Sequence, residues 1–215
     1  MAHTVYKVKD KRVKSVTTII GQQLGWNKQV LLGWTRKNCL QGNDSLKILR
    51  DAGAIGTLAH NLIDAHTRGG VVTLDNYEPV QVSKAKTAFY AFLDWKENRN
   101  VKILESESKM VSEKYGFGGT CDGIATVNGV SVILDYKTSN NCYDEYIIQL
   151  AAYRQMWNEA NPKNKIKTGI VLKLNKNKQE WTEHTVSPKN LLWGWNIFKL
   201  LLKLDMYKNK GEHKW

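Results

Sequence analysis

The dipeptide Asn128-Gly129 stands between two strand-like runs, GFGGTCDGIATV and VSVILDYKT, and it constrains the chain more than any other feature. A two-residue type I′ turn needs positive φ at both central positions, which asparagine and glycine tolerate at low cost. With these two as the loop, Val127 faces Val130, and the same register carried outward sets Asp122 directly opposite Asp135. Opposed residues of an antiparallel pair share a face, their Cβ atoms about 4.5–5.5 Å apart. Alternation along the strand returns Lys137 to that face, two residues beyond Asp135.

Two opposed carboxylates repel, which destabilises a bare sheet. A divalent cation relieves the repulsion, because carboxylate oxygens are its preferred ligands. Ile133 and Leu134 precede Asp135 directly, so the strand reads as buried rather than as a wet surface on which Lys137 pairs with one aspartate. A bulge in either strand would undo the alignment.

The rest of the chain supplies elements to pack around this hairpin. Residues 24–40 mix apolar and basic side chains at helical spacing, among them Val30, Leu31, Trp34 and Cys39. A second helix starts at Asp44 or Ser45, both good caps, and ends at Gly69-Gly70. Ile48, Ile55, Leu58, Leu62 and Ile63 supply its apolar face, while Gly53 and Gly56 mark a weak point or a break. Residues 81–98 read as a third amphipathic helix through Ala85, Ala88, Phe89, Phe92 and Trp95. After Asn100 the period changes, with Val101, Ile103 and Met110-Val111 in an extended segment leading into the hairpin. Residues 144–159 are helical and stop at Asn161-Pro162. Strands at 166–174 and 180–186 follow, then a helix from Pro188, well placed in a first turn, to residue 207. This order predicts a mixed α/β fold. The 215 residues fit one domain: a mainly helical part at 1–100, a sheet with its helix at 101–187 and a C-terminal helix at 188–215.

Charge narrows the partner. With 32 Lys and Arg against 20 Asp and Glu, the net charge is +12, which suits polyanions through counterion release and steering and equally a surface that lysine merely keeps soluble. Aromatic faces stack on bases, but Trp34, Trp95, Trp157, Trp181, Trp193, Trp195 and Trp215 read equally well as core. Cys39, Cys121 and Cys142 are scattered, which argues against a disulfide framework and a zinc site and for reduced, partly buried thiols. No apolar run approaches a membrane span. The basic start lacks a secretion signal's apolar core, so a cytoplasmic setting is expected.

At GGTCDGIATVNGVSVILDYKTS, followed by QLAAY, the sequence resembles the PD-(D/E)XK nuclease superfamily, and within it the RecB-like and phage-type exonuclease branch. There an aspartate closes one strand, D-x-K-T-S ends the next and Q-x-x-x-Y lies on the following helix; here these are Asp122, Asp135, Lys137, Gln149 and Tyr153. A histidine in a G-x-x-x-H context is met as Gly56 and His60 in GTLAH, and SVTTIIG resembles the usual start of such chains. The first aspartate follows Cys121 rather than proline. The clustered cysteines of some relatives are missing, so no iron–sulfur cluster is expected.

The resemblance implies a restriction-endonuclease-like central sheet flanked by helices, with a helical N-terminal region. It implies Mg²⁺ or Mn²⁺ held by His60, Asp122, Asp135 and the backbone carbonyl of Tyr136. Lys137 would orient the attacking water or stabilise charge on phosphorus. Gln149 would bond near Lys137 or a phosphate, and Tyr153 would contact or simply pack against the strand. Glu107 is a further acidic candidate, with Glu105 at the same strand parity as its rival. Thr138 and Ser139 would touch a phosphate or form only a strand-end turn. His66 faces elsewhere.

The function so implied is a metal-dependent deoxyribonuclease leaving 5′-phosphates, an exonuclease before an endonuclease, in phage or mobile-element recombination or repair. The rivals are a structure-specific or single-strand endonuclease of the same fold and a non-catalytic nucleic-acid-binding module. DNA is the expected partner and a membrane is not. A homo-oligomer or a recombination partner protein is compatible with the sequence and not fixed by it.

Overall fold

The computed structural model describes residues 4–139 and 141–209. The chain opens with a small hairpin, β1 (Tyr6–Val8) and β2 (Lys11–Val13), followed by helices α1 (Val16–Gln23), α2 (Lys28–Leu40), α3 (Ser45–Arg68) and α4 (Pro79–Asn98). Strands β3 (Val101–Ser112), β4 (Phe117–Val127) and β5 (Val130–Lys137) come next, then α5 (Asp144–Ala160), β6 (Thr168–Leu174), β7 (Trp181–Val186) and α6 (Pro188–Asn209). The expected mixed α/β architecture is the observed one. A five-stranded sheet runs in sequence order from β3 to β7. Its neighbours are antiparallel except β5 and β6, which run parallel and are joined through α5.

The sheet divides two apolar layers. On one face Ile124, Ile133 and Val171 pack with α1, α5 and α6 through Ile19, Ile148, Leu150 and Phe198. On the other, Ala125, Leu134 and Leu172 pack with α3 and α4 through Leu58, Ile63, Phe92 and Trp95. Burial on both faces explains the near-continuous apolar character of β5 and β6. Trp95 is wholly buried and Trp195 nearly so, which makes both of them core; Trp215 lies outside the described residues.

Three sequence expectations need correction. Helix α3 runs unbroken through Gly53 and Gly56, from a side-chain cap at Asp44 to a left-handed Gly69. Two interior glycines cost about 1 kcal/mol each, and burial of Ile55, Leu58, Ala59 and Ile63 on one stripe outweighs that. Its first turns are less involved, since Ile48 is exposed. The helix within 24–40 begins only at Lys28 and buries none of its side chains. Cys39 and Cys142 are exposed thiols, and only Cys121 is buried. The β1–β2 hairpin was not expected. It docks over β4, where the Tyr6 hydroxyl meets Thr120 Oγ1 at 2.7 Å and Ser15 bridges Gly118. No helix among the described residues is long and apolar enough to cross a membrane.

Candidate active site

Asn128 and Gly129 take φ of 48° and 81°, and Val127 pairs with Val130. The ladder holds its register as far as Gly123 opposite Leu134, so Asp122 and Asp135 occupy the next step. There the backbone N–H of Tyr136 donates to Asp122 Oδ2 at 2.6 Å. On the other edge of β4, Ser106 pairs with Gly123 and Ser108 with Cys121, which sets Glu107 across from Asp122. Three acids thus lie in a row over three adjacent strands. Glu107 has φ of +48°, a left-handed conformation rarely taken by a glutamate, in a strand whose register already shifts between Ile103 and Glu105. Glu105 is exposed and accepts from the Ser108 hydroxyl.

Helix α3 brings His60 to the same place. One turn earlier, a Cβ on Gly56 would stand 3.2 Å from Thr138 Oγ1, so the bare backbone there lets the helix close on the end of β5. His60 Nε2 lies 3.0 Å from the Tyr136 carbonyl and Nδ1 lies 3.4 Å from Asp122 Oδ1. A carbonyl only accepts, so Nε2 carries a proton in this arrangement and Nδ1 faces the carboxylate. His66 packs against Phe89 instead.

Asp135 is fully buried and turns to Lys137, whose Nζ sits 2.9 and 2.7 Å from its two oxygens. Lys137 also reaches Gln149 Oε1 at 3.4 Å, and Gln149 Nε2 donates to the Tyr153 hydroxyl at 3.0 Å. The ring of Tyr146 lies 4.8 Å beneath Lys137 Nζ. Sequence reading missed Tyr146, although its spacing of three from Gln149 places both on one face of α5. The Ser139 hydroxyl donates to Asn141 and accepts from Tyr146, so it is tied into a strand-end turn.

The charges are strongly coupled. Burial, then the charge of Asp122, pushes the Glu107 carboxyl up to about 7. Burial likewise lifts Asp135 to about 6, with Lys137 opposing and Asp122 reinforcing. Asp122 moves down: burial disfavours its charge, but His60, Lys137 and the Tyr136 N–H together prevail. For His60 burial again opposes charge and the Asp122 carboxylate overrides it, raising the imidazole above its ordinary value. Lys137 is also raised, as Asp135 and Asp122 outweigh its desolvation.

Donor atoms of His60, Glu107 and Asp122 lie within 4.8 Å of one another, close enough to share an ion. Imidazole with carboxylates suits Mn²⁺ and similar divalent ions, and carboxylates suit Mg²⁺. Two carboxyls with raised affinity for protons are groups that a cation would satisfy better. Of the residues expected as ligands, Asp122, His60 and the Tyr136 carbonyl converge. Asp135 adjoins them but faces Lys137, while Glu107 completes the close set. The cluster lies in a cleft of about 1160 Å³ whose rim includes Arg12, Lys14, Thr17 and Thr18. None of the four was expected as a site residue: Thr17 and Thr18 entered only within SVTTIIG, and Arg12 and Lys14 only as part of a basic start.

No family model and no curated protein matches the chain. Among solved structures it is similar to one named "Putative exonuclease" from Eubacterium rectale, with 14% identity over 74% of this chain and 69% of that one and a TM-score of 0.53. It is also similar to the alkaline exonuclease LHK-Exo from Laribacter hongkongensis, with 11% identity over 72% and 81% and a TM-score of 0.40. The first likeness shows a shared fold, a mixed sheet flanked by helices.

Proposed function

We propose that this chain is a Mg²⁺- or Mn²⁺-dependent deoxyribonuclease of the PD-(D/E)XK type. The observation that carries the reading is the gathering of His60, Glu107 and Asp122 beside the buried Asp135–Lys137 pair in a cleft that Arg12 also lines. His60, Glu107, Asp122 and the Tyr136 carbonyl would hold the cation, with Asp135 joining them as it releases Lys137. When bound, such an ion activates water and offsets charge developing on a phosphodiester. Lys137 then stands where an ammonium orients the attacking water or stabilises the phosphoryl oxygens. Gln149 fixes the position of Lys137, Tyr153 anchors Gln149, and Arg12 binds the DNA backbone from the rim. In-line attack on phosphorus breaks its bond to the 3′ oxygen and leaves a 5′-phosphate and a 3′-hydroxyl.

An exonuclease is favoured over an endonuclease. The motif resemblance to the RecB-like and phage-type branch supports this, as does the name of the E. rectale protein that shares the fold. Phage or mobile-element recombination is the setting that branch suggests. The test is to incubate the protein with end-labelled linear duplex and closed circular DNA, with Mg²⁺, Mn²⁺ or EDTA, beside Asp135→Ala and Lys137→Ala. Cation-dependent loss of only the linear DNA, abolished by both substitutions, is the expected result. Cutting of the circle replaces the exonuclease with an endonuclease. Binding without degradation under any cation refutes catalysis and leaves a binding module.

A further inference from the structure

A second cavity of about 930 Å³ adjoins the cleft, and Thr57, Asn61 and Asp64 line both. These residues and His60 follow one another along a single face of α3, at the spacing that stacks side chains in successive turns. From His60 to Arg68 that face extends about 12 Å, leading from the acidic cluster into the second cavity. Its far wall is the connection between α3 and α4, with Val72, Asn76 and Tyr77.

The two spaces differ in chemistry. The first is lined by Arg12 and by Lys14, the latter paired with Asp205 at 2.7 Å. The single cation of the second among the described residues, Arg68, is already bound by Asp64 at 2.7 Å and donates to the Ser106 carbonyl. Asp64 is further held by the Ser106 hydroxyl at 2.6 Å. This wall therefore has little net charge to offer a phosphate. What remains is the part of the Tyr77 ring and of Val72 left open by their packing on the layer under α3 and α4, with the exposed amides of Asn61 and Asn76, whose side chains bond to no other described residue. Aromatic surface with unspent amides suits the neutral, hydrogen-bonding edge and π-face of a nucleobase. A volume near 900 Å³ accommodates a nucleoside.

We infer that the second cavity is a base-binding subsite, which takes an unpaired nucleobase of the strand whose phosphodiester lies at the acidic cluster. It rests on the nuclease reading above and adds a substrate class to it: a base in this cavity has left its stack and its partner, so the strand is single there, at a frayed end or in single-stranded DNA.

The test measures binding, so it does not depend on cleavage. Fluorescence anisotropy with Ca²⁺ as the added cation compares labelled single-stranded oligonucleotides carrying one abasic site at successive positions from the end. The proteins are the wild type, Asn76→Ala, and Thr73→Trp, which fills the cavity from an exposed position of its wall; circular dichroism verifies that each is folded. An abasic site at one position weakens wild-type binding about tenfold, the worth of one stacked base. Thr73→Trp binds the intact oligonucleotide about as weakly and ignores that position, while Asn76→Ala, which loses one hydrogen bond, binds a few-fold more weakly than wild type and still responds there. Uniform indifference to abasic sites, or wild-type affinity in the folded Thr73→Trp protein, overturns the subsite. Position-dependent binding by a protein that degrades no DNA with Mg²⁺ or Mn²⁺ supports the subsite and refutes the nuclease.

Discussion

Asp122 accepts the backbone N–H of Tyr136 at 2.6 Å, while the carbonyl of that same Tyr136 accepts the proton of His60. One peptide segment of β5 therefore positions both the acid and the imidazole of the cluster, and the side chains on either side of it, Asp135 and Lys137, complete the centre.

That compactness makes the protein's stability depend on pH in a particular way. In the fold without a cation, Glu107 and Asp135 keep protons up to about 7 and about 6. In the unfolded chain both have lost them by the ordinary carboxylate range. The native state then binds more protons through that window, so stability falls as pH rises from about 4 to 7. Thermal melts in EDTA across this range should show the decline. Saturating Mn²⁺ should raise the melting temperature by roughly 5 °C at pH 8 and by less at pH 5, since a ligand bound a hundredfold above its Kd adds about 2.7 kcal/mol.

Glu107 illustrates a cost of site geometry. Its left-handed backbone is strained by about 1–2 kcal/mol for a side chain bearing a Cβ, and glycine has no such penalty. Glu107→Gly should raise resistance to urea by about 1 kcal/mol while nuclease activity drops at least about a hundredfold. A destabilised variant would contradict this account of the strain, and an active one the place of Glu107 in the proposed centre.

Tyr153→Phe removes one hydroxyl from a buried ring, and with it the anchor of Gln149. Stability should change by about 1 kcal/mol or less. In single-turnover cleavage the rate should fall about tenfold, as Lys137 loses a fixed partner.

Helix α4 is fastened to β7 by Glu183, which accepts from the Trp95 indole at 2.8 Å and from Arg99 at 2.9 and 3.0 Å. Glu183→Ala would leave the fully buried Trp95 donor without an acceptor, at a cost of about 1–3 kcal/mol in urea denaturation. Burial disfavours the Glu183 charge, but Arg99 and Trp95 hold its carboxyl below the ordinary range. Its contribution is thus present above that range and disappears as pH falls through the lowered value.

Gly194 of α6 sits where an added Cβ would meet the Ile147 carbonyl at 2.8 Å, whereas Gly21 of α1 has nothing within 4 Å. Gly194→Ala should destabilise by about 1–3 kcal/mol, since the α5–α6 contact cannot yield cheaply. Gly21→Ala should stabilise by up to about 1 kcal/mol through helix propensity alone. Paired chemical denaturation distinguishes the two.

The register of β4 and β5 was legible because a single turn dictates it, and Asn128-Gly129 announces that turn. The position of Glu107 was not, since parity favours Glu105 equally and only the irregular backbone of β3 separates them. The first hairpin escaped notice because three-residue strands carry almost no periodic signal. Its turn residues, Lys9 and Asp10, take positive φ without being glycine. Tyr146 escaped for another reason: its contact with Lys137 joins α5 to β5 across a connection that sequence spacing does not describe.

The sheet that separates the two apolar layers also makes the centre answerable to each. Asp135 and Lys137 are held from the α5 side, and His60 arrives from the α3 side. A cavity opened under α6 or under α4 would therefore disturb opposite halves of the same few ångströms. On the proposed reading, cleavage rate becomes a local gauge of fit between layers, whereas a melting curve averages the same slippage over the whole chain.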